Sequence, residues 1–105
     1  DQGSTALFSA AENGHVKCVR ALVDARANIE ATNKLNHTPL IAAATKGETA
    51  CVQVLVDARA DVNTTNYGGR TALMFAAENG HTETVKVLLL GALSRRKDEW
   101  YISLL

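Results

Sequence analysis

The residues that could do chemistry are two cysteines, three histidines and a handful of carboxylates. They could build a redox pair, a metal site or a general acid/base pair. Their spacing is the first clue. Cys18 and Cys51 stand 33 residues apart, and both His15 with His81 and Glu12 with Glu78 stand 66 apart. His37 is the remaining histidine. Gly68-Gly69 lacks the phosphate-cradling pattern and the strand that such a loop requires. No Ser or Cys nucleophile has a plausible base, so no catalytic constellation emerges.

The interval of 33 belongs to the whole chain. Thr5, Thr38 and Thr71 share it. So do Leu7, Leu40 and Leu73; Ala10, Ala43 and Ala76; Gly14, Gly47 and Gly80; and Leu22, Leu55 and Leu88. Residues 1–33 laid on 34–66 give fifteen identities, including Leu-Val-Asp-Ala-Arg-Ala at Leu22–Ala27 and Leu55–Ala60. Laid on 67–99, they give twelve.

Each unit reads alike. A threonine is expected to cap a helix through its hydroxyl, and Pro39 sits where a first-turn proline costs little. An Ala-rich stretch follows and stops at Gly14, Gly47 or Gly80, where a left-handed residue is wanted. A second helix carries one apolar stripe: Val16, Val19, Leu22 and Val23, then Val52, Leu55 and Val56, then Val85, Leu88 and Leu89. Polar turns such as Asn33–His37 and Asn66–Arg70 join the units.

Helix–turn–helix units of 33 residues with Thr38-Pro39-Leu40 near the start resemble ankyrin repeats. The match continues through Ala43-Ala44, Gly47 and Val52–Asn63, and through Gly69, Thr71, Leu73, Ala76-Ala77 and Gly80-His81. The resemblance implies an all-α solenoid of three repeats, about 1–33, 34–66 and 67–93, with residues 94–105 left as a C-terminal tail or cap. Each repeat would be a helix pair carrying a projecting, β-hairpin-like loop.

Some positions depart from the family. Phe8, Ile41 and Met74 replace a usual histidine, which predicts apolar packing in place of a polar tie between repeats. Arg26 and Arg59 replace a usual glycine, so a left-handed backbone there would cost about 1 kcal/mol. Asn36 replaces a loop-tip glycine and tolerates positive φ. Gly91-Ala92 arrives one residue early, after which the pattern dissolves.

Stacking also judges the candidate chemistry. With ~10 Å per packed layer, His15 and His81 would lie roughly 20 Å apart, as would Glu12 and Glu78. They can share neither an ion nor a proton. Cys18 and Cys51 would lie about 10 Å apart, beyond the ~7 Å reach of a disulfide. Both read as small, half-buried apolar residues of a reduced compartment. Neither a metal nor a cofactor is expected, and the chain is read as non-catalytic.

That leaves surface. The resemblance implies partner contacts at the loop tips (Lys34, Leu35, His37, Tyr67, Arg70) and on the concave side of the first helices. There it points to Ser9, Glu12, Asn13, Thr45, Lys46, Phe75, Glu78 and Asn79. Leu35, Tyr67 and Phe75 stand out, because exposed apolar and aromatic side chains on a rigid groove make hot spots. The tail ends in Trp100, Tyr101, Ile102, Leu104 and Leu105. It is expected to fold over the last repeat as a cap, with an anchor into a partner or membrane complex as the alternative.

Composition closes off other classes. Eleven Lys and Arg balance eleven Asp and Glu, so the net charge is zero and nucleic acid is not an expected partner. At 47% hydrophobic residues, disorder is excluded. The longest apolar run, Val85–Leu93, is interrupted by Lys86 and Gly91 and is too short for a membrane span. The polar opening and absent initiating Met point to a piece of something longer. Reduced cysteines and the missing signal peptide favour an intracellular setting. The expected function is protein–protein interaction, with a small accessory subunit of a larger, membrane-bound assembly as the alternative.

Overall fold

The computed structural model describes the backbone of residues 2–104 and the side chains of residues 3–94. It contains six helices in three pairs. These are α1 (Gln2–Glu12) with α2 (Val16–Asp24), α3 (Pro39–Lys46) with α4 (Thr49–Asp57), and α5 (Ala72–Glu78) with α6 (Thr82–Leu104). The first helices pack α1 on α3 on α5, and the second helices pack α2 on α4 on α6. The result is two parallel rows, the all-α solenoid expected from the repeat.

Local chemistry starts the helices of units two and three. Thr38 Oγ1 accepts from the Ile41 N–H at 3.2 Å, and Thr71 Oγ1 accepts from the Met74 N–H at 3.3 Å. Pro39 occupies the first turn of α3. Unit one differs. Thr5 lies inside α1, which begins at Gln2, so Thr5 does not cap it. The described residues ahead of Thr5 continue the helix backwards.

Gly14, Gly47 and Gly80 all adopt the left-handed backbone, at φ 76, 72 and 74°. Two of them are also closely approached by a side chain of the next unit, the flexible carboxylate end of Glu48 at Gly14 and the His81 ring at Gly47. A Cβ placed at Gly47 would strike that ring at 2.5 Å. Glu48 and His81 are the residues that follow the glycine of the next unit. The glycine therefore stops one helix and lets the next unit come close.

The second helices end differently. Ala27 N–H donates to Leu22 O and Arg26 N–H to Val23 O, while Ala60 and Arg59 repeat this on Leu55 and Val56, all at 3.0 Å. This is the paired 6→1 and 5→2 closure that normally carries glycine at its left-handed position. Here Arg26 and Arg59 hold it, at φ 68 and 71°, and Asn36 at the loop tip sits at φ 64°. The strain read from the sequence is present. Unit three escapes it. Gly91, expected to end the helix, lies within α6, and a Cβ there would meet Val56 Cγ1 at 2.6 Å. Its role is close approach of α6 to α4. Residues 94–104 prolong α6 without a turn.

The core is aliphatic and small. Leu7, Leu40, Leu55 and Leu88 recur at its centre, joined by Val19, Val52, Ile41 and the alanines of α1, α3 and α5. The apolar replacement of the family histidine is uneven. Ile41 is buried, Phe8 is half-buried, and Met74 is 50% exposed. Met74 sits on α5, which packs on α3 and α6 among the described helices. Cys51 is buried, while Cys18 is exposed rather than half-buried.

Relieving the two strained arginines tests this account. Arg26→Gly and Arg59→Gly should each raise stability by about 1 kcal/mol in urea unfolding. Equal or lower stability in both would show that the left-handed backbone is not costly here.

Candidate functional site

The loop tips are built by two equivalent asparagines. Asn33 Oδ1 accepts from the N–H groups of Leu35 and His37 at 2.9 and 3.0 Å. Asn66 Oδ1 accepts from those of Gly68 and Arg70 at the same distances. One backbone bond closes each tip, from Asn33 N–H to His37 O at 3.1 Å and from Asn66 N–H to Arg70 O at 3.0 Å. The tips are hairpin-like in closure, and no strand forms among the described residues. Asn side chains that bond their own backbone make such turns rigid.

The two tips are tied together. Tyr67 N–H donates to Leu35 O at 3.2 Å, and Asn36 Nδ2 donates to Thr65 O at 2.9 Å. With their backbones fixed, Leu35 and Tyr67 hold their side chains in solvent, at 60% and 79% exposure. Neighbouring tips thus present two apolar groups at low ordering cost.

Four other expected contact residues meet, but they engage one another. The Arg70 guanidinium lies 5.0 Å from the centroid of Phe75 and pairs with Glu78. The His37 ring meets the edge of Phe75 at 5.5 Å and 71°, and Asn66 Nδ2 lies 3.2 Å from His37 Nε2. Phe75 is half-buried against the core. The cluster bridges units two and three.

The rest divide between support and open surface. Thr45 Oγ1 donates to Ile41 O at 2.7 Å, and Thr45 O accepts from His81 Nε2 at 3.0 Å. His81 therefore ties unit three to unit two, while His15 is exposed. Asn13 and Asn79 turn their amides back onto Ser9 O and Phe75 O, at 2.8 and 2.9 Å. Ser9, Lys34 and Lys46 are exposed and Glu12 is half-buried. The side chains of the expected anchor, Trp100, Tyr101, Ile102, Leu104 and Leu105, lie outside the described residues.

Two concavities lie along the first helices, and the expected contact residues Ser9, Glu12, His37, Thr45 and Lys46 are among those that line them. A groove of about 380 Å³ is lined by α1 from Ser4 to Glu12 and by Ala31, Thr32 and Asn33. A second, of about 210 Å³, continues it past Phe8, Glu12 and Asn33 to His37, Ala42, Thr45 and Lys46. Phe8, Thr32 and Asn33 were missed as lining residues. The signal available was Phe8 itself, a large aromatic at a position the family gives to a polar residue. Among the described residues, no group of three His, Cys, Asp or Glu side chains could hold a metal ion. None of the described helices is long and apolar enough to cross a membrane.

The thiols contrast with one another. Burial pushes the Cys51 thiol up, and the nearby Glu48 carboxylate adds to the effect. Cys18 faces solvent.

Comparison with known proteins agrees with this geometry. The family described as ankyrin repeats (3 copies) matches residues 1–66 and again 25–98. Cortactin-binding protein 2 of Dasypus novemcinctus is 53% identical over 34 residues, which is 32% of this chain and 2% of that protein. The Rattus norvegicus protein of the same name is 46% identical over 39 residues, 37% of this chain and 2% of the relative. The shared segment is thus about one repeat of a much longer protein.

The cysteine contrast has a direct readout. In the native protein an aromatic disulfide reagent should label Cys18 quickly, whereas Cys51 should react only after unfolding, because it is buried and its thiolate is disfavoured. Equal labelling rates for the two would contradict the packing of α4.

Proposed function

This chain belongs to the ankyrin repeat family, and from that premise we propose that it is a non-catalytic module that binds a partner protein. Contact is made through the loop tips and the face of the first helices. The observation that carries this reading is the pair Leu35 and Tyr67, large apolar side chains held in solvent on hydrogen-bonded tips. Side chains of this kind on a preformed surface supply contact energy with little entropy loss. Lys34, Lys46 and Asn79 form the polar rim. His37, Arg70, Phe75 and Glu78 contribute as a preassembled unit behind the tips. The relatives' name describes a protein that binds another protein. The similarity covers one repeat of them, so the identity of their partner does not transfer.

The variant Leu35→Ala/Tyr67→Ala tests this reading. Both side chains are exposed, so its stability should stay within about 0.5 kcal/mol of the parent. Its affinity for a partner captured from the native source should fall at least tenfold, about 1.4 kcal/mol. Unchanged affinity would remove the tips from the interface.

A second reading has one observation in its favour. Leu89, Leu90 and Leu93 of α6 are exposed, with Leu90 at 67%. Asp24 and Asp57 hold the position equivalent to Leu90 in the other units, and Ala27 and Ala60 the position of Leu93. A small accessory subunit built into a larger assembly would cover such a face. Leu90→Asp restores the charge found in the other units. For an accessory subunit it should release the chain from its assembly in sedimentation, and a free adaptor should be indifferent to it.

A further inference from the structure

The structure shows, in unit three, how this fold holds a guanidinium. Arg70 lies over the Phe75 ring at 5.0 Å and pairs with Glu78. Glu78 is the last residue of α5, where the helix dipole disfavours a negative charge, and Arg70 compensates it.

Unit one keeps the carboxylate and carries its ring one residue earlier, at Phe8, with Ser9 in the place of Phe75. Glu12 is the equivalent of Glu78 and likewise the last residue of α1. The residue equivalent to Arg70 is Ser4. A carboxylate at a helix C-terminus gains nothing from the dipole, and no ion pair or hydrogen bond from another described residue engages the Glu12 side chain. Beside it, one turn earlier on the same face of α1, stands Phe8. Both line the two continuous grooves of about 380 and 210 Å³, with Asn33 opposite.

We infer that the groove of Phe8 and Glu12 receives an arginine side chain of the partner protein. The guanidinium lies over the Phe8 ring and pairs with the Glu12 carboxylate. This rests on the interaction reading above and names the chemistry the partner must bring. Arginine fits better than lysine. Its plane stacks on an aromatic face while its fork of N–H donors meets a carboxylate side-on. Lys46 also lines the smaller groove, so the partner segment carries an acidic group near its arginine.

The test needs no partner. N-acetyl-L-arginine amide is titrated into the whole chain and followed by amide chemical shifts. A fragment of this size should saturate with a dissociation constant of about 1 mM, with shifts centred on Phe8, Glu12 and Asn33. N-acetyl-L-citrulline amide, the uncharged isostere, should bind at least tenfold more weakly. Glu12→Gln should weaken the arginine probe by the same factor. Its spectrum away from the groove should be unchanged, because Glu12 supports no contact in the fold. Arg70→Ala should expose a second site, with new shifts at Phe75 and Glu78. The inference is overturned by equal binding of the citrulline probe, by undiminished binding to Glu12→Gln, or by a probe that reaches neither cradle. Any of these leaves the interaction reading standing, since that reading depends on Leu35 and Tyr67. Loss of partner affinity in the Leu35→Ala/Tyr67→Ala variant with no arginine binding would separate the two outright.

Discussion

The α3 helix is pressed from both sides, by α1 and by α5, and this is the contact on which the stack depends. Pro39 to Ala44 are all buried, and Ala42, Ala43 and Ala44 keep the helix thin enough for neighbours on two faces. Helix separation follows the size of the side chains between the axes. A leucine at Ala43 or Ala44 would push one unit away and open the flanking contacts together. The same demand explains Gly47, against which the His81 ring of the next unit packs. A single unit has no enclosed core, so these contacts are both the fold and its stability.

Around the apolar column runs a ladder of polar ties between units. Glu30 Oε2 accepts from the Asp61 N–H at 2.7 Å, and Thr49 and Thr84 share a hydroxyl bond at 2.8 Å. Asn36 and His81 add the bonds already described. The column supplies the energy through burial, and the ladder fixes the register, because each bond has one geometry and the apolar contacts have many. Arg26 and Arg59 show that this interface tolerates local strain. Their left-handed backbones are set by helix closure.

The candidate site is a by-product of stacking. Loop tips whose own asparagines satisfy their backbone leave their outward side chains without structural duty, hence exposed Leu35 and Tyr67. Where one unit's first helix meets the next loop, the fit leaves grooves, and their lining depends on residues that differ between units. Position four of each unit shows this: Ser4, His37 and Arg70 give an unpaired Glu12, an aromatic edge on Phe75, and a closed guanidinium cradle. The repeat builds an identical scaffold, and single substitutions within it make three different surfaces.

The sequence by itself determined the period, the two helices per unit, the glycine stops and the strained arginines. All of these are local: capping, φ preference and apolar spacing act within a few residues and recur every 33. It also spaced equivalent groups apart, since repetition sets them in successive layers of the stack. Only the tertiary structure decided which equivalent positions are open. Thr5 lies inside its helix, Cys18 differs from Cys51, and Met74 differs from Ile41, because among the described residues the middle unit packs on both sides and the outer units on one. Phe75 looked like a free aromatic until Arg70 and His37 were found against it. Phe8 and Asn33 looked structural until the groove lay between them. Burial and pairing are properties of the contact between units, and that contact has no signature in the residues of either unit alone.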